Sequence, residues 1–290
     1  MAGVFRSKFA VYLSLFLLGL GGSATEARPN TRCSNAVAND RLRNAAAIVD
    51  APPASVTRHP SSIQFLNIVA YNLLNLERHV GRFERHGDRL VPLPERPARS
   101  KDERHRREQG AILSEVATDL AVFEEVEDKE ALQHFNANFL EGAYTPYLID
   151  GNDERGIDVG FVVKKDLPFT VEHRTFKHVK WKDKVTGHVG PLFSRDLPVL
   201  IFRLHGQKKP FLLFAGTHYK SKRNRDGDFE SRTMRRAQVD GTVSILKDLQ
   251  AEFGESIPIL LGGDMNGNVN REAEFANLKK ALSLEDVFSE

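Results

Sequence analysis

Short apolar runs recur along this chain, each about as long as a buried strand and bounded by polar residues, and they limit the folds open to it. The runs cover residues 63–70, 120–123, 143–149, 157–163, 199–204, 211–217 and 257–261. Helical apolar spacing occurs over 101–116, 129–139, 231–253 and 272–281, and the proline-containing stretch 77–100 is predicted to be a long loop. Several strands follow one another without a helix between them. The pattern therefore predicts an α/β fold with sheets packed face to face and helices outside.

The first residues have the pattern of an export signal. Positive charge is followed by an apolar run over 9–20, too short to span a bilayer comfortably, and then by small residues over 21–27. Residues 1–27 are therefore predicted to be a signal peptide that is cleaved after Ala24 or Ala27, and the protein to be secreted or periplasmic. An uncleaved membrane anchor is the alternative.

The rest of the chain divides into a linker or N-terminal arm over 28–60, with few large apolar residues, and one folded domain over 61–290. Cys33 is the only cysteine, so no internal disulfide can form. The formal net charge of +2 excludes nucleic-acid binding through bulk charge alone. Basic residues are nevertheless concentrated over 78–107 and 220–225.

Polar side chains stand just after four of the apolar runs. They are Asn72, Glu125, His218 and the pair Asp264 and Asn266. Taken singly, each has an ordinary structural explanation, such as a turn, a helix start or a buried histidine. Strand ends that meet at one edge of the sheets would instead bring the whole set around one cleft.

Together these residues supply the groups that hydrolysis of a phosphate ester requires. The carboxylates of Glu125 and Asp264 and the amide oxygens of Asn72 and Asn266 suit Mg²⁺, Mn²⁺ or Ca²⁺. No cluster of Cys and His in the sequence has zinc-binding spacing. His218 is suited to bind a phosphoryl oxygen or to carry a proton. The sequence therefore predicts a divalent metal site with a histidine beside it.

Six motifs occur in order along the chain: Asn67-Ile-Val-Ala-Tyr-Asn-Leu-Leu-Asn75, Asp119-Leu-Ala-Val-Phe-Glu-Glu-Val126, Arg155-Gly-Ile-Asp158, Ser194-Arg-Asp196, Thr217-His-Tyr-Lys-Ser-Lys-Arg223 and Gly263-Asp-Met-Asn266. In content and order they resemble the endonuclease/exonuclease/phosphatase superfamily, whose fold is that of deoxyribonuclease I. The resemblance covers about residues 63–290. It implies a four-layer αββα sandwich with two packed mixed β-sheets, and a metal-dependent hydrolase of phosphate ester bonds.

The resemblance also implies a role for each matching position. Asn72 and Glu125 match the asparagine and the metal-binding glutamate of the first strands. His218 matches the catalytic histidine. Asp264 and Asn266 match an Asp-x-Asn pair that orients the nucleophile and the phosphate, and both are predicted to help hold the metal.

Five further residues are predicted to bind substrate. Arg155 and Asp158 resemble an Arg-Gly-Ile-Asp motif of extracellular nuclease-like members, and Arg195 lies where a phosphate-contacting arginine is expected, with a structural ion pair as an equal alternative for all three. Lys220 and Lys222 follow the matched histidine and are predicted to hold the phosphates on either side of the cleaved bond.

Two departures from the family pattern bear on activity. Glu124 stands where the family has glutamine, and is expected to add negative charge beside the metal. Active members also carry a second histidine, usually after an aspartate, beyond the Asp-x-Asn pair, whereas no histidine follows His218 here. We expect either a fragment that lacks the last strands and this Asp-His pair, or a degenerate enzyme.

The favoured function is a secreted or periplasmic endonuclease that acts on DNA as a monomer without a stable protein partner. A secreted phosphodiesterase or phosphatase acting on phospholipids or sugar phosphates is an alternative, although Trp181 is the one isolated sign of a membrane-binding loop. A third alternative is a binding module that kept the fold and lost catalysis.

Overall fold

The computed structural model describes residues 10–15, 65–76, 82–86, 89–93, 103–183, 187, 189–224 and 227–287. Its strands are β1 (Ala10–Leu15), β2 (Phe65–Leu76), β3 (Arg82–His86), β4 (Arg89–Leu93), β5 (Leu120–Val126), β6 (Tyr144–Tyr147), β7 (Asp158–Lys164), β8 (Phe169–Arg174), β9 (Lys180–Lys182), β10 (Val189–Pro191), β11 (Val199–Leu204), β12 (Leu212–His218) and β13 (Ile259–Asp264). Its α-helices are α1 (Glu103–Glu115), α2 (Lys129–Phe139), α3 (Arg232–Phe253) and α4 (Ala276–Leu282). Short 3-10 turns at Phe229–Ser231 and Ala273–Phe275 precede α3 and α4.

The strands form two large sheets, both of them mixed. The first sheet has the order β1-β2-β5-β7-β6, in which β1, β2 and β5 are parallel and the remaining pairs antiparallel. The second has the order β13-β12-β11-β8, in which β12 and β13 are parallel and the other pairs antiparallel. Two hairpins, β3–β4 and β9–β10, form separate two-stranded sheets.

Each sheet has two apolar faces, because successive side chains of a strand point to opposite sides. Val122 of the first sheet and Phe214 of the second belong to a core that lies between the sheets. Phe123 faces the other way and contacts Phe135 of α2 with perpendicular rings. Leu213 belongs to a third cluster, which the second sheet shares with α3 and α4. The layers are therefore helix, sheet, sheet and helix, which confirms the predicted αββα sandwich.

Two strands extend further than the sequence predicted. β2 continues through Asn72 to Leu76, and β5 includes Glu125. The pairing between them shifts register, and Leu74, Asn75 and Glu125 have φ of 53°, 62° and 59° in this region. Non-glycine residues adopt this left-handed backbone only where the surrounding fold holds them in it. The polar residues expected after the strands therefore lie within them.

Other strands were not predicted from the sequence. The prediction of a long loop over 77–100 is wrong for residues 82–86 and 89–93, which form the β3–β4 hairpin. β8 (Phe-Thr-Val-Glu-His-Arg) and β9 (Lys-Trp-Lys) are rich in polar residues. Short polar strands of this kind lack the apolar run by which a buried strand is recognised.

The N-terminal strand β1 falls inside the predicted signal peptide. It pairs in parallel with residues 65–70 of β2 and forms one edge of the first sheet. The rest of the predicted signal, the arm over 28–60 and Cys33 lie outside the described residues. Signal cleavage stays a prediction, and it would remove β1. Within the described part of the chain, no helix combines the length and the apolar character needed to cross a membrane.

Candidate active site

Residues from both sheets meet at one end of the core between them. In each of these strands, every second residue before the site faces the core between the sheets. The same alternation places four polar residues on the inner faces: Asn72 on β2, Glu124 on β5, His218 on β12 and Asp264 on β13. Asn72 is the register partner of Glu124, and His218 is the register partner of Asp264. Asn72, His218 and Asp264, three of the residues expected to share one edge, thus lie at the same end of the core, together with Glu124, which was not among them.

Asn72 and His218 both approach the same oxygen of Asp264. Asn72 Nδ2 donates to Asp264 Oδ2 at 3.4 Å, and His218 Nε2 lies 3.7 Å from that oxygen. The Leu74 backbone N–H donates to Asn72 Oδ1 at 2.9 Å, which fixes the direction of the amide. Asn72 therefore presents its N–H groups to Asp264, whereas the sequence had predicted its amide oxygen as a metal donor.

The turn after β13 fixes the other oxygen of Asp264. The Asn266 backbone N–H donates to Asp264 Oδ1 at 2.8 Å, and Asn266 Nδ2 donates to the Tyr219 carbonyl at 3.0 Å. The Tyr219 N–H donates to the Asp264 carbonyl at 3.0 Å. Gly263 has φ of 132°, and a Cβ there would come within 1.9 Å of the Thr217 carbonyl. The Asp-x-Asn turn and the residues after His218 are therefore one hydrogen-bonded unit that requires glycine.

His218 is in a setting that favours a neutral imidazole. Its side chain is only 4% exposed, and Nδ1 has no hydrogen-bond partner among the described residues. Burial lowers the pKa of His218 well below its ordinary value, and the positive charges of Arg195 and Arg155 lower it further. A neutral imidazole has a lone pair that can accept a proton.

Glu124 and Glu125 differ in burial. Glu124 is almost fully buried, and Oε1 has no hydrogen-bond partner among the described residues. Burial raises the pKa of Glu124 well above its ordinary value, and the charges of Asp264 and Glu125 raise it further. These surroundings favour the neutral acid, and the extra negative charge expected beside a bound metal stays a prediction. Glu125 is only partly buried and occupies the left-handed position of the strand.

The oxygen donors at this edge are suited to a hard cation with an open coordination shell. Glu125 and Asp264 both act electrostatically on Glu124 and on Arg195, so the two carboxylates share one neighbourhood. Within the described ranges, no group of three or more His, Cys, Asp and Glu side chains is arranged to hold a metal. Mg²⁺ commonly takes one or two carboxylates and fills its shell with water and substrate phosphate, which fits this pair.

Two predicted phosphate ligands, Arg155 and Arg195, converge on a carboxylate that was not predicted. Arg155 donates from Nε to Asp153 Oδ1 at 3.0 Å and from Nη2 to Oδ2 at 3.2 Å. Arg195 Nε forms an ion pair with Asp153 Oδ2 at 3.0 Å, without hydrogen-bond geometry, and its Nη1 donates to Ser194 Oγ at 3.3 Å. Arg195 is buried, whereas the Arg155 side chain is 42% exposed.

Asp158 is a buried residue rather than a surface ligand. It is fully buried, and its Oδ1 accepts from the Gly151 N–H at 2.8 Å. A Cβ at Gly151 would lie 2.6 Å from that oxygen, so the loop before Asp153 packs closely on β7. This contact supports a structural role for Asp158, whose carboxylate holds the loop that carries Asp153 and Arg155.

The loop after β12 is held to α3 through its backbone. The Lys220 N–H donates to Gln238 Oε1 at 2.8 Å, and Arg235 Nη1 donates to the Lys220 carbonyl at 3.1 Å. Lys222 Nζ lies 2.6 Å from Glu272 Oε1, so its charge is shared with a carboxylate. The predicted phosphate ligands Lys220 and Lys222 thus follow His218 on a fixed loop, and Arg225 lies outside the described residues.

Sequence reasoning missed Asp153, Arg235 and Gln238. Asp153 precedes the Arg155 motif by two residues, and this short spacing was the one local signal that an ion pair could form. Arg235 and Gln238 lie three residues apart in α3, where they face the same side. Their burial, which marks them as structural polar residues, was not visible in a helix rich in charge.

Neither the protein-family profiles nor the curated proteins that were compared give a match to the chain. Similar solved structures include the human Nocturnin catalytic domain with bound sulfate anion, at 15% identity over 63% of this chain and 64% of that chain, with a TM-score of 0.45. Truncated TDP2 from Caenorhabditis elegans has 20% identity over 58% and 57%, with a TM-score of 0.41. The Bacteroides thetaiotaomicron mannosyl-6-phosphatase has 14% identity over 72% and 68%, with a TM-score of 0.44. This chain spans less than two thirds of the first two structures, and likeness at such identity concerns the fold alone.

Proposed function

We propose that this chain hydrolyses phosphate ester bonds with the help of a divalent metal ion and that its substrate is DNA. The observation that carries the proposal is the meeting of Asn72, His218 and Asp264 at one end of the core between the sheets, with Glu124 beside them. A neutral imidazole next to carboxylates suits proton transfer and the binding of a metal and a phosphate. The resemblance of the motifs that contain these residues supports the same chemistry.

The residues of this edge would divide the work of hydrolysis. Water adds to phosphorus, the bond to the leaving oxygen breaks, and that oxygen gains a proton. His218, whose Nε2 lies 3.7 Å from Asp264 Oδ2, would bind a phosphoryl oxygen or accept the proton of the attacking water. Asn72 and Asn266 hold the two oxygens of Asp264 in fixed directions. A divalent ion bound by Glu125 and Asp264 would polarise the phosphoryl oxygens.

Support for DNA as substrate comes from the loop after His218. Arg223 is exposed, Lys222 is exposed but paired with Glu272, and the contacts of Lys220 with α3 fix the backbone beside them. Cations held beside the reacting phosphate would bind neighbouring phosphates of a nucleic acid backbone.

Hydrolysis assays on the full chain test the proposal. Supercoiled plasmid DNA, RNA and sphingomyelin vesicles would each be incubated with Mg²⁺, with Mn²⁺ and with chelator. We expect nicking of the plasmid that requires the metal. Glu125→Ala and His218→Ala should each reduce it by about a hundredfold or more. Glu141→Ala is the matched control for Glu125, because Glu141 also has a left-handed backbone, with φ of 54°, but is exposed and away from these residues.

Three results would each refute part of the proposal. Nicking that persists in chelator would exclude the metal. Cleavage of sphingomyelin without cleavage of DNA would exclude the nuclease. No hydrolysis of any substrate by a folded wild-type chain would favour the non-catalytic binding module.

One observation fits the phospholipid alternative as well as the nuclease. Phe229, at the start of the turn before α3, is 64% exposed. The neighbouring Ser231 Oγ donates to the Arg223 carbonyl at 2.5 Å, which places this turn against the basic loop. An exposed aromatic beside basic residues suits a lipid surface as well as a stacked base. Trp181, the feature noted in the sequence, instead packs partly buried against the cluster under α3.

A further inference from the structure

Asp153 contacts both Arg155 and Arg195, and no other carboxylate among the described residues has contacts with both. Two nitrogens of Arg155 and one nitrogen of Arg195 lie 3.0–3.2 Å from its two oxygens. The Arg155 backbone N–H also donates to Asp153 Oδ1, at 3.0 Å. With a side chain only 9% exposed, Asp153 cannot satisfy its charge with water, so its position is tied to these guanidinium groups.

The arginines that Asp153 holds act on the site residues. The charge of Arg155 acts on Glu125 and on His218. The charge of Arg195 acts on Glu125, Asp264 and His218. The guanidinium groups are therefore within electrostatic range of the residues at the reacting edge.

We propose that Asp153 is a positioning residue, which directs the guanidinium group of Arg155 toward the substrate phosphate while Arg195 remains behind it as a buried counter-charge. The different roles of the two arginines follow from their exposure, because the Arg155 side chain is 42% exposed and that of Arg195 is 5% exposed. Asp153 occupies Nε and Nη2 of Arg155, which leaves the Nη1 end of the fork to point away from the carboxylate. This inference rests on the proposed function, since it concerns the phosphate of that reaction.

A double-mutant cycle tests whether Asp153 acts through Arg155. Asp153→Asn, Arg155→Met and the double variant would be assayed on plasmid DNA and on bis(4-nitrophenyl) phosphate. We expect each single variant to lose about tenfold to a hundredfold in kcat/KM, mainly through KM, because a misdirected guanidinium group weakens phosphate binding. In the Arg155→Met background, Asp153→Asn should reduce kcat/KM by less than about twofold more, because the group that it directs is absent.

The experiment must distinguish a loss of folding from a loss of the position of Arg155. Asp153→Asn leaves the buried Arg195 without its counter-charge, so circular dichroism and thermal unfolding must show that each variant is folded at the assay temperature. If Asp153→Asn is unfolded there, Asp153→Glu is assayed in its place, since it keeps the charge and moves it by one methylene. Glu252→Gln is the matched control, because it weakens a two-nitrogen contact with Arg174 on another part of the surface and should leave kcat/KM unchanged.

Binding of orthophosphate, measured by calorimetry, separates this inference from the proposed function. We expect the wild-type chain to bind orthophosphate, and both single variants and the double variant to bind it about equally weakly. Additive losses in the cycle, or wild-type orthophosphate binding by Asp153→Asn, would overturn the positioning role even if the chain cleaves DNA. If the chain cleaves no substrate, this binding series still decides the role of Asp153.

Discussion

Replacing Arg235 by Met tests how strongly one buried arginine holds the loop that follows His218. Arg235 is fully buried in α3. Its Nη1 donates to the Lys220 carbonyl at 3.1 Å and to the Glu230 carbonyl at 2.7 Å, and its Nη2 donates to Glu274 Oε1 at 2.8 Å. Methionine fills much of the same space but supplies no donor, so the loop would lose its contact at Lys220 and the turn before α3 would lose its contact at Glu230.

The free energy of unfolding should fall mainly because of Glu274. That side chain is 5% exposed, so without Arg235 its charge would be buried and unpaired. Removing one partner of a buried ion pair costs about 3–5 kcal/mol. For a chain of this size, a loss of that order lowers the melting temperature by roughly 10 °C. Removing both partners, in Arg235→Met with Glu274→Met, should restore part of the loss because no charge remains buried.

Urea unfolding followed by circular dichroism measures these differences. Arg236→Met is the matched control, since Arg236 is the next residue of the same helix and is exposed, and it should change the free energy of unfolding by no more than about 0.5 kcal/mol. If Arg235→Met lowers the free energy of unfolding by no more than Arg236→Met does, the contacts of Arg235 with Lys220 and Glu274 do not stabilise the loop. A double variant whose loss equals the sum of both single losses would refute the ion-pair explanation.

Three further predictions concern the core, the turn after β13 and the exposed aromatic. Burial lowers the pKa of His173 from 6.5 to about 4, so the contribution of the neutral imidazole to the free energy of unfolding is complete above pH 6.5 and is lost as the pH falls toward 4. His173→Phe should therefore reduce the loss of stability between neutral pH and pH 4 by up to about 3 kcal/mol in unfolding experiments. An unchanged dependence of stability on pH would contradict this. Gly263→Ala should lower the free energy of unfolding by about 3 kcal/mol and abolish plasmid nicking, because the added Cβ meets the Thr217 carbonyl. Gly142→Ala is the control: Gly142 has φ of 64°, no atom lies within 4 Å of the added Cβ, and nicking should stay intact. Phe229→Ala should leave the melting temperature unchanged and reduce cleavage of single-stranded DNA more than that of bis(4-nitrophenyl) phosphate; loss of vesicle hydrolysis alone would indicate a lipid contact instead.

Much of the fold could be predicted from the sequence because the signals were local. The predicted strand over 199–204 has the bounds of β11, and the predicted helix over 129–139 has the bounds of α2. In α2, Asp128 accepts from the Ala131 N–H at 2.6 Å and so marks the helix start within the sequence itself. Elements whose pairing partner is distant in the sequence gave no such signal, as the polar strand β8, which pairs with β11, shows.

The candidate site was predictable in part for the same reason. His218 and Asp264 end two apolar runs, and parallel pairing of those strands makes them register partners. The direction of each side chain was not predictable. Asn72 turns its amide oxygen to the Leu74 N–H, and the pKa of Glu124 is raised by burial in the assembled fold and by the charge of Asp264, which is far away in the sequence.

The position of Glu125 shows why a motif fixes the residue type more firmly than its geometry. In a regular strand Glu125 would point to the helix side, opposite to Glu124. The register shift between Phe123 and Val126, together with φ of 59° at Glu125, breaks that alternation. Such a bulge re-aims a side chain while the strands on both sides stay paired. The Glu125 carboxylate can then contribute to the reacting edge while the other residues of β5 keep their apolar faces. Only the assembled sheet determines where Glu125 points.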